Sequence, residues 1–312
     1  MTRSDATSAT DQAAAFEVEP LSVHIGAEIH GLDIAQPLKP ETVAALRDAL
    51  LRWKVIFFRD QILDHERHIR FARHFGQPTP GHVVFGGDEL YPEIYAVAKH
   101  RVALAANETL QRSWSEWHTD ITAAVNPPAA SILRGAVVPP YGGDTHWTNL
   151  AAAYQALSPT LRGFLETLRA RHAFKAPQDN DDAAAYQEKT RTNDLVAEHP
   201  LVTVHPETGE PVLYISPIFV QSIVGLAPRE SQCLLEMLWE HAVRSEFTVR
   251  FRWRPGSVAF WDNRATAHLA PSDIFATDFD RQFYRVTLMG EVPRGADGSP
   301  STLISGQPIE AL

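Results

Sequence analysis

A histidine and an aspartate separated by one residue could bind a metal ion together in this chain. His118 and Asp120 flank Thr119, and His268 lies far along the sequence. If residues 118–120 form a strand, the side chains at i and i+2 point to the same side. A third ligand from a distant strand would complete two imidazoles and one carboxylate on one face of the metal. This set leaves coordination positions open and is typical of iron(II) sites that activate oxygen.

Two arginines lie close together in a sequence that predicts a late strand. Arg281 and Arg285 would share one face of a strand running from Arg281 to Met289. Buried guanidinium groups are costly unless they meet anions, and the planar fork of arginine binds carboxylate, sulfate or sulfonate in bidentate fashion. A pair of surface arginines in ordinary salt bridges is the alternative. The spacing indicates an anion site if this face is buried.

A glycine pair precedes a further group of polar residues. Thr145 follows residues 142–144, and its hydroxyl could donate to a carboxylate. Trp147 lies on the same side of an extended segment, whereas His146 points away and is interpreted as structural.

The composition is that of a globular protein and restricts the alternatives. The chain has 312 residues, of which 44% are apolar and 21% charged, so it suffices for one large domain or two small ones. The net charge is −10 and no basic run stands out, so we do not expect nucleic acid as a partner. The single cysteine, Cys233, excludes an intrachain disulfide, zinc–thiolate sites and iron–sulfur clusters.

The compartment and the first residues follow from similar arguments. No apolar stretch is long enough to span a bilayer, so we expect no membrane association, and a reducing cytoplasm fits the lone cysteine. Residues 1–16 are rich in Ser, Thr, Ala, Asp and Gln and lack the apolar core of a signal peptide, which predicts a disordered lead.

Short apolar runs bounded by turn residues dominate the chain, and a few helical patterns accompany them. The predicted helices cover 40–53, the segment from the cap Asp64 to Gly76, the segment opened by Ser158 and Pro159, and 228–243. The predicted strands cover 18–29, 55–58, 94–97, 117–121, 131–138, 201–205, 212–216, 248–253, 257–261 and 283–289. This pattern predicts a mainly β fold with peripheral helices, a double-stranded β-helix (jelly roll) of the cupin kind.

Residues 17–312 are expected to form a single domain. Within it, the polar segment 176–198 is a candidate lid, because lids come from weakly packed stretches; a surface loop without a role is the alternative.

Four segments together resemble the TauD/TfdA family of Fe(II)- and 2-oxoglutarate-dependent dioxygenases. They are Trp117-His118-Thr119-Asp120, Gly142-Gly143-Asp144-Thr145, Trp261-Asp262-Asn263-Arg264-Ala265-Thr266-Ala267-His268 and Arg281-Gln282-Phe283-Tyr284-Arg285. The likeness runs from about residue 18 to 293, and the combination is far more specific than any one segment.

The resemblance implies which residues hold the metal and the cosubstrates, Fe(II), 2-oxoglutarate and O2. The implied iron ligands are His118, Asp120 and His268. The far carboxylate of 2-oxoglutarate would meet Arg281 and Thr145, with Trp147 beside it.

The resemblance also implies an anionic organic substrate held by Arg285, with His82 as a second contact. Members that act on taurine hold its amine with polar residues at the positions occupied here by Phe85 and Trp114, and we expect these two and Ile121 to form an apolar wall. An apolar pocket with an anion clamp favours a hydrophobic tail and a negative head.

We therefore predict an alkyl sulfate or sulfonate as substrate, an activity of sulfur metabolism. Hydroxylation of the carbon next to the sulfate or sulfonate would release an aldehyde plus sulfate or sulfite, with succinate and CO2. Residues 287–291 and 304–308 are also similar to the alkylsulfatase branch of the family.

Other interpretations stay open. A related dioxygenase could act on a phenoxyalkanoate, an amino-acid derivative or taurine itself, because Arg285 can bind a carboxylate as well as a sulfate. The barrel could be a non-catalytic binding module with a vestigial site. A zinc hydrolase could use the same three ligands, although no general-base glutamate stands near them. A dimer or tetramer is expected from the resemblance alone.

Overall fold

The structure is a computed structural model that describes residues 16–83, 86–98, 112–174 and 194–312. Its helices among these residues are α1 (Pro40–Trp53), α2 (His65–Arg73), α3 (Leu150–Gln155), α4 (Pro159–Leu165) and α5 (Pro228–Ala242), with short 3-10 turns at Ser245–Phe247 and Ser272–Ala276. Its strands are β1 (Glu17–Pro20), β2 (Ala27–His30), β3 (Val55–Phe58), β4 (Tyr95–Ala98), β5 (Ala130–Val137), β6 (Thr145–Asn149), β7 (Arg169–Ala173), β8 (Val196–Pro200), β9 (Val202–Val204), β10 (Pro211–Leu213), β11 (Val220–Ile223), β12 (Thr248–Phe251), β13 (Val258–Asp262), β14 (Thr266–Leu269), β15 (Gln282–Leu288) and β16 (Thr302–Ser305).

The strands form one large sheet and three smaller ones. The large sheet has seven strands in the order β1-β2-β3-β13-β5-β15-β4, and all of its pairs are antiparallel except β2 with β3. The smaller sheets have the orders β12-β6-β14, β11-β7-β8-β16 and β10-β9. This mainly β arrangement with few helices confirms the predicted fold class.

The central strands β3 and β13 of the large sheet are buried on both faces, which explains why they are continuous apolar runs. Alternate residues of β3 point to opposite faces. Val55 and Phe57 join a core with Phe251 of the three-stranded sheet, whereas Ile56 and Phe58 pack with the helices α1 and α2. The first of these cores lies between two sheets.

Most of the predicted elements are confirmed, including their caps. Helix α1 has the predicted bounds, Asp64 accepts a hydrogen bond from the backbone N–H of Arg67, and Ser158 caps α4. The strands β9 and β10, which overlap the predicted strands 201–205 and 212–216, pair with each other in antiparallel orientation. The prediction of one strand over 18–29 is wrong, because the chain turns at Gly26 and forms the separate strands β1 and β2.

The predicted metal strand over 117–121 is also wrong. Only His118 makes a bridge there, and the segment continues as a turn in which Ile121 has φ +50°. A local turn can still present His118 and Asp120 to one side, so the ligand prediction does not depend on the strand.

Several predictions concern residues outside the described ranges. They are Phe85, residues 1–15 of the predicted N-terminal lead and residues 176–193 of the candidate lid. Phe16 is buried in the core, and the last part of the lid segment belongs to β8. Within the described part of the chain, no helix has the length and apolar character needed to cross a membrane.

Candidate metal centre and anion sites

An isolated pair of backbone hydrogen bonds brings two distant histidines together. The N–H of His118 donates to the carbonyl of His268 (2.9 Å), and the N–H of His268 donates to the carbonyl of His118 (2.7 Å). The Thr119 hydroxyl adds a bond to the carbonyl of Thr266 (2.7 Å). The two imidazole rings therefore lie 4.2 Å apart between centroids.

Asp120 completes the group. His118, Asp120 and His268 each offer a ligand atom, and these atoms lie within 4.8 Å of one another, so all three could hold one ion. Burial alone would raise the pKa of Asp120, but Arg285, the two histidines and the Ser131 hydroxyl hold it well below its usual range. The aspartate is therefore an anion.

The donor set fits a ferrous ion. Burial lowers the pKa of both His118 and His268, so both imidazoles are neutral and can coordinate a metal. The Nδ1 of His118 lies 3.0 Å from the carbonyl of Glu116 and donates to it, which leaves its Nε2 lone pair free. The Nδ1 of His268 is buried without a hydrogen-bond partner among the described residues. Two neutral imidazoles and one carboxylate match the predicted iron triad.

A second cation, Arg281, lies buried next to the glycine pair. No described carboxylate lies within salt-bridge distance of it, and its guanidinium stacks on the ring of Phe283, 4.0 Å from the centroid. Burial lowers its pKa to about 10, so it keeps its charge at neutral pH. Such a cation suits the carboxylate of a bound molecule.

Thr145 is oriented to donate in the same region. Its Oγ1 accepts a hydrogen bond from the indole N–H of Trp253 (2.9 Å), and Trp253 in turn packs on Phe283. Because that indole is only a donor, the hydroxyl hydrogen of Thr145 is available to an acceptor. Arg281 and Thr145 thus both contact the aromatic pair Trp253 and Phe283, and the predicted 2-oxoglutarate site fits them.

Trp147 has a different setting. It is fully buried in the core between the sheets, with its ring 5.4 Å from Phe57 and 5.6 Å from Trp261. Trp261 packs on His268 at 4.9 Å, so Trp147 supports the metal centre through one intervening ring. Its direct contact with a cosubstrate stays a prediction.

Arg285 and His82, the two residues of the predicted substrate clamp, both lie next to the ring of Tyr95. A guanidinium nitrogen of Arg285 donates to Oδ1 of Asp120 (2.6 Å), and its Nε has no hydrogen-bond partner among the described residues. The centroid of the Tyr95 ring lies 5.4 Å from the guanidinium carbon of Arg285 and 5.0 Å from the ring centroid of His82. Burial, reinforced by Arg285, lowers the pKa of His82 to about 3, so His82 is a neutral hydrogen-bonding group.

An apolar cluster adjoins this clamp. Ile121 is buried in it beside Phe219, and Val83 and Phe174 pack against it. The Phe174 ring lies 6.3 Å from that of His82. A molecule anchored at the clamp would therefore meet apolar side chains.

Trp114 is placed away from its predicted position in the pocket wall. Its ring lies 4.6 Å from that of Trp239 in α5, tilted by 37°, and it packs against the core around that helix. The apolar character of the pocket is supported by Ile121, Val83 and Phe174 instead, and Phe85 lies outside the described residues.

Sequence reasoning missed three side chains that contact the site. Tyr95, Trp253 and Ser131 each lie in or beside a correctly predicted strand, but their contacts are with residues far away in sequence. Only the pairing of β5, β13 and β15 brings Ser131 to the metal ligands, and no local pattern signals that pairing.

Comparison with known proteins decides between the classes that share this donor set. Residues 17–287 match the family described as taurine catabolism dioxygenase TauD, TfdA family. The chain belongs to this family. It is a non-haem iron dioxygenase that uses 2-oxoglutarate and O2, with the triad of His118, Asp120 and His268 as its metal site.

Relatives span nearly the whole chain. An alpha-ketoglutarate-dependent sulfate ester dioxygenase of Pseudomonas putida is 40% identical over 294 residues, which cover 92% of this chain and 93% of the relative. An alkylsulfatase of Acinetobacter baylyi is 37% identical over 91% of this chain and 88% of its own. The crystal structure of a taurine dioxygenase from Burkholderia xenovorans superposes with a TM-score of 0.84 at 57% identity, covering 94% of this chain and 96% of that one.

Proposed function

We propose that this dioxygenase hydroxylates the carbon next to the sulfate group of a small alkyl sulfate, or next to the sulfonate of a related anion. The observation that carries the proposal is the buried Arg285–His82 clamp beside the apolar cluster of Ile121, Val83 and Phe174. The cation suits the sulfate, and the cluster suits the alkyl tail. Relatives named for sulfate esters and for alkyl sulfates support the same substrate class.

Fe(II), with 2-oxoglutarate and O2, supplies the oxidation: one oxygen atom enters the substrate C–H bond and the other enters succinate, with loss of CO2. The residues of the chain hold the reactants. Arg281 and Thr145 bind the far carboxylate of 2-oxoglutarate, and Arg285 with His82 fixes the substrate head so that one C–H bond faces the metal.

The product of hydroxylation then breaks down by itself. The new hydroxyl and the sulfate share one carbon, so loss of the hydroxyl proton and cleavage of the carbon–oxygen bond to sulfate give an aldehyde and sulfate. A sulfonate gives an aldehyde and sulfite by cleavage of the carbon–sulfur bond.

Oxygen consumption with a panel of anions tests the proposal. In the presence of Fe(II) and 2-oxoglutarate we expect turnover of hexyl sulfate and 2-ethylhexyl sulfate, with release of sulfate and succinate in equal amounts. Turnover of phenoxyacetates alone would assign the clamp to a carboxylate, and turnover of taurine alone would contradict the apolar pocket.

Alkyl chain length gives a sharper form of the test. Each buried methylene contributes about 0.8 kcal/mol, so kcat/KM should rise about fourfold per added carbon until the cluster is filled. Phe174→Ala should flatten this dependence, whereas Phe164→Ala, which truncates an exposed ring on α4, should leave it unchanged. An equal dependence in both variants would remove the cluster from the substrate site.

Two further properties belong to this proposal. We infer a cytoplasmic location, because Fe(II) is kept ferrous in a reducing compartment, and a homo-oligomer of two or four chains, by analogy with the family. Cell fractionation and light scattering test them.

A further inference from the structure

A buried network of hydrogen bonds between side chains ends on the iron ligand Asp120. The Ser131 hydroxyl donates to Oδ2 of Asp120 (2.6 Å), the side-chain amide of Asn263 donates to Oγ of Ser131 (2.8 Å), and the indole N–H of Trp261 donates to Oδ1 of Asn263 (2.8 Å). Each of these four residues is at most 3% exposed, so water does not compete for the bonds.

The hydrogen bonds of this network can run in one direction only, from Trp261 to Asp120. An indole nitrogen donates and never accepts, so the Trp261 N–H requires the oxygen of the Asn263 amide to face it. The amide NH2 must then face Ser131, where it occupies an acceptor position of the hydroxyl. The hydroxyl hydrogen is left to point at Asp120, which as a carboxylate can only accept.

The two oxygens of Asp120 therefore have different partners. Oδ2 accepts from Ser131 on β5, and Oδ1 accepts from Arg285 on β15. The strands β5 and β15 are paired, with Ser131 opposite Thr287, so both donors are fixed by the sheet. Two donors on separate oxygens hold the plane of the carboxylate, which a single bond would leave free to rotate.

We propose that Ser131 is a positioning residue for the iron site: oriented by Asn263 and Trp261, it fixes the carboxylate of Asp120 for metal binding. The network also contacts a second metal ligand, because the centroid of the Trp261 ring lies 4.9 Å from that of His268. Partners that orient metal ligands in this way typically change metal affinity or activity 10–100-fold when they are removed. The inference rests on the metal site of the proposed function but not on its substrate.

Binding of Co(II) to the metal-free protein tests the role without any turnover. Ser131→Ala should weaken Co(II) binding about 10–100-fold in anaerobic titrations and shift the visible absorption bands of the bound ion. Ser131→Thr, which keeps the hydroxyl, should recover most of the affinity. Ser231→Ala is the matched control, since Ser231 is equally buried but its hydroxyl accepts from the N–H of Ile223 in another part of the molecule, and it should bind Co(II) as the wild type does.

The possible results distinguish a failure of the Ser131 proposal from a failure of the proposed function on which it rests. Failure of the wild-type protein to bind Co(II) would contradict the proposed function. Wild-type affinity and spectrum in Ser131→Ala, or an equal loss in Ser231→Ala, would overturn the role of Ser131 alone. If Ser131→Ala does not fold, as judged by its thermal melt, Trp261→Phe decides: freeing the Asn263 amide should still weaken Co(II) binding severalfold, and unchanged binding there overturns the proposal.

Discussion

At the residue scale, the two buried arginines differ in whether they form an ion pair with a carboxylate of the protein. Arg285 donates to Asp120, so its charge is shared between the metal site and any substrate. The guanidinium of Arg281 lies on the ring of Phe283 and is influenced by the charge of Asp273, but among the described residues no acid lies within salt-bridge distance of it. A buried cation is costly without a counter-ion, so Arg281 gains most from an incoming carboxylate. Its contribution is therefore the simpler one to isolate.

We predict that Arg281→Lys will raise the KM for 2-oxoglutarate about 10- to 100-fold. Lysine keeps the charge but loses the planar fork, and one charge-assisted hydrogen bond contributes about 1.5–3 kcal/mol. The measurement is oxygen consumption at saturating sulfate ester with varied 2-oxoglutarate.

The control for this variant is an arginine of the surface. Arg244 is half exposed and pairs with Glu246 of the same turn, so Arg244→Lys should leave the KM unchanged. A KM for 2-oxoglutarate in Arg281→Lys equal to that of Arg244→Lys would mean that another residue binds the far carboxylate.

At the element scale, the turn before β6 positions Arg281 through its backbone. Gly142 and Gly143 both have positive φ (+79° and +64°), and a Cβ on Gly143 would lie 3.1 Å from Cδ and Nε of Arg281. A Cβ on Gly142 would meet its nearest atom, Oδ2 of Asp273, at 3.8 Å. The two glycines thus share the backbone requirement, but only Gly143 makes room for the arginine.

This difference gives a matched pair of variants. Gly142→Ala and Gly143→Ala should each lower the melting temperature through strain at positive φ, to a similar extent. Only Gly143→Ala should also raise the KM for 2-oxoglutarate, by about 3- to 10-fold, because a displacement of a few tenths of an ångström misaligns the guanidinium. Similar KM values in the two variants would show that the turn does not control Arg281.

Elements with local signals could be predicted from the sequence. Helix α1 begins at Pro40 and is followed by Lys54 in a left-handed conformation, and Asp64 and Ser158 cap their helices through their own side chains. The segment 117–121 could not be predicted in the same way, because its turn is fixed by the bridge to His268 and by positive φ at Ile121. Long-range pairing overrides local preference there.

The residues of the site also divide into those with a signal in the sequence and those placed by long-range contacts. The three iron ligands could be predicted because the segments that carry them together resemble one family, and the structure brings the three side chains together. The roles of Arg281 and Arg285 stay predictions. Trp114 was misplaced because its position follows from packing on Trp239, a contact that no motif encodes. Ser131 was missed because a serine at the start of a strand carries no signal until β13 places Asn263 beside it.

At the scale of the whole molecule, three fully buried histidines outside both the metal triad and the predicted substrate clamp have lowered pKa values, which couple stability to pH. His68, His172 and His199 are completely buried, and burial is the main cause of their lowered pKa values. The pKa of His68 falls to about 3 and that of His199 to about 4, against about 6.5 in an unfolded chain. Below pH 6.5 the unfolded chain therefore binds protons that the folded chain excludes, and the free energy of unfolding must fall as the pH falls.

We expect this loss to begin near pH 6.5 and to continue to about pH 4 for His199 and about pH 3 for His68. Each such histidine contributes up to about 1.4 kcal/mol per pH unit, or about 2 kcal/mol between pH 6.5 and pH 5.

Urea unfolding of the metal-free protein at a series of pH values measures how the free energy of unfolding changes with pH. His68→Leu removes one titrating group from α2 and should flatten the slope by nearly one proton, while replacement of the exposed His24 by Gln should leave it unchanged. The metal-free protein should then be more stable above pH 6.5, where the buried imidazoles and the two iron-binding histidines are neutral in both the folded and the unfolded chain. An identical slope in His68→Leu and the wild type would show that His68 takes up its proton without unfolding.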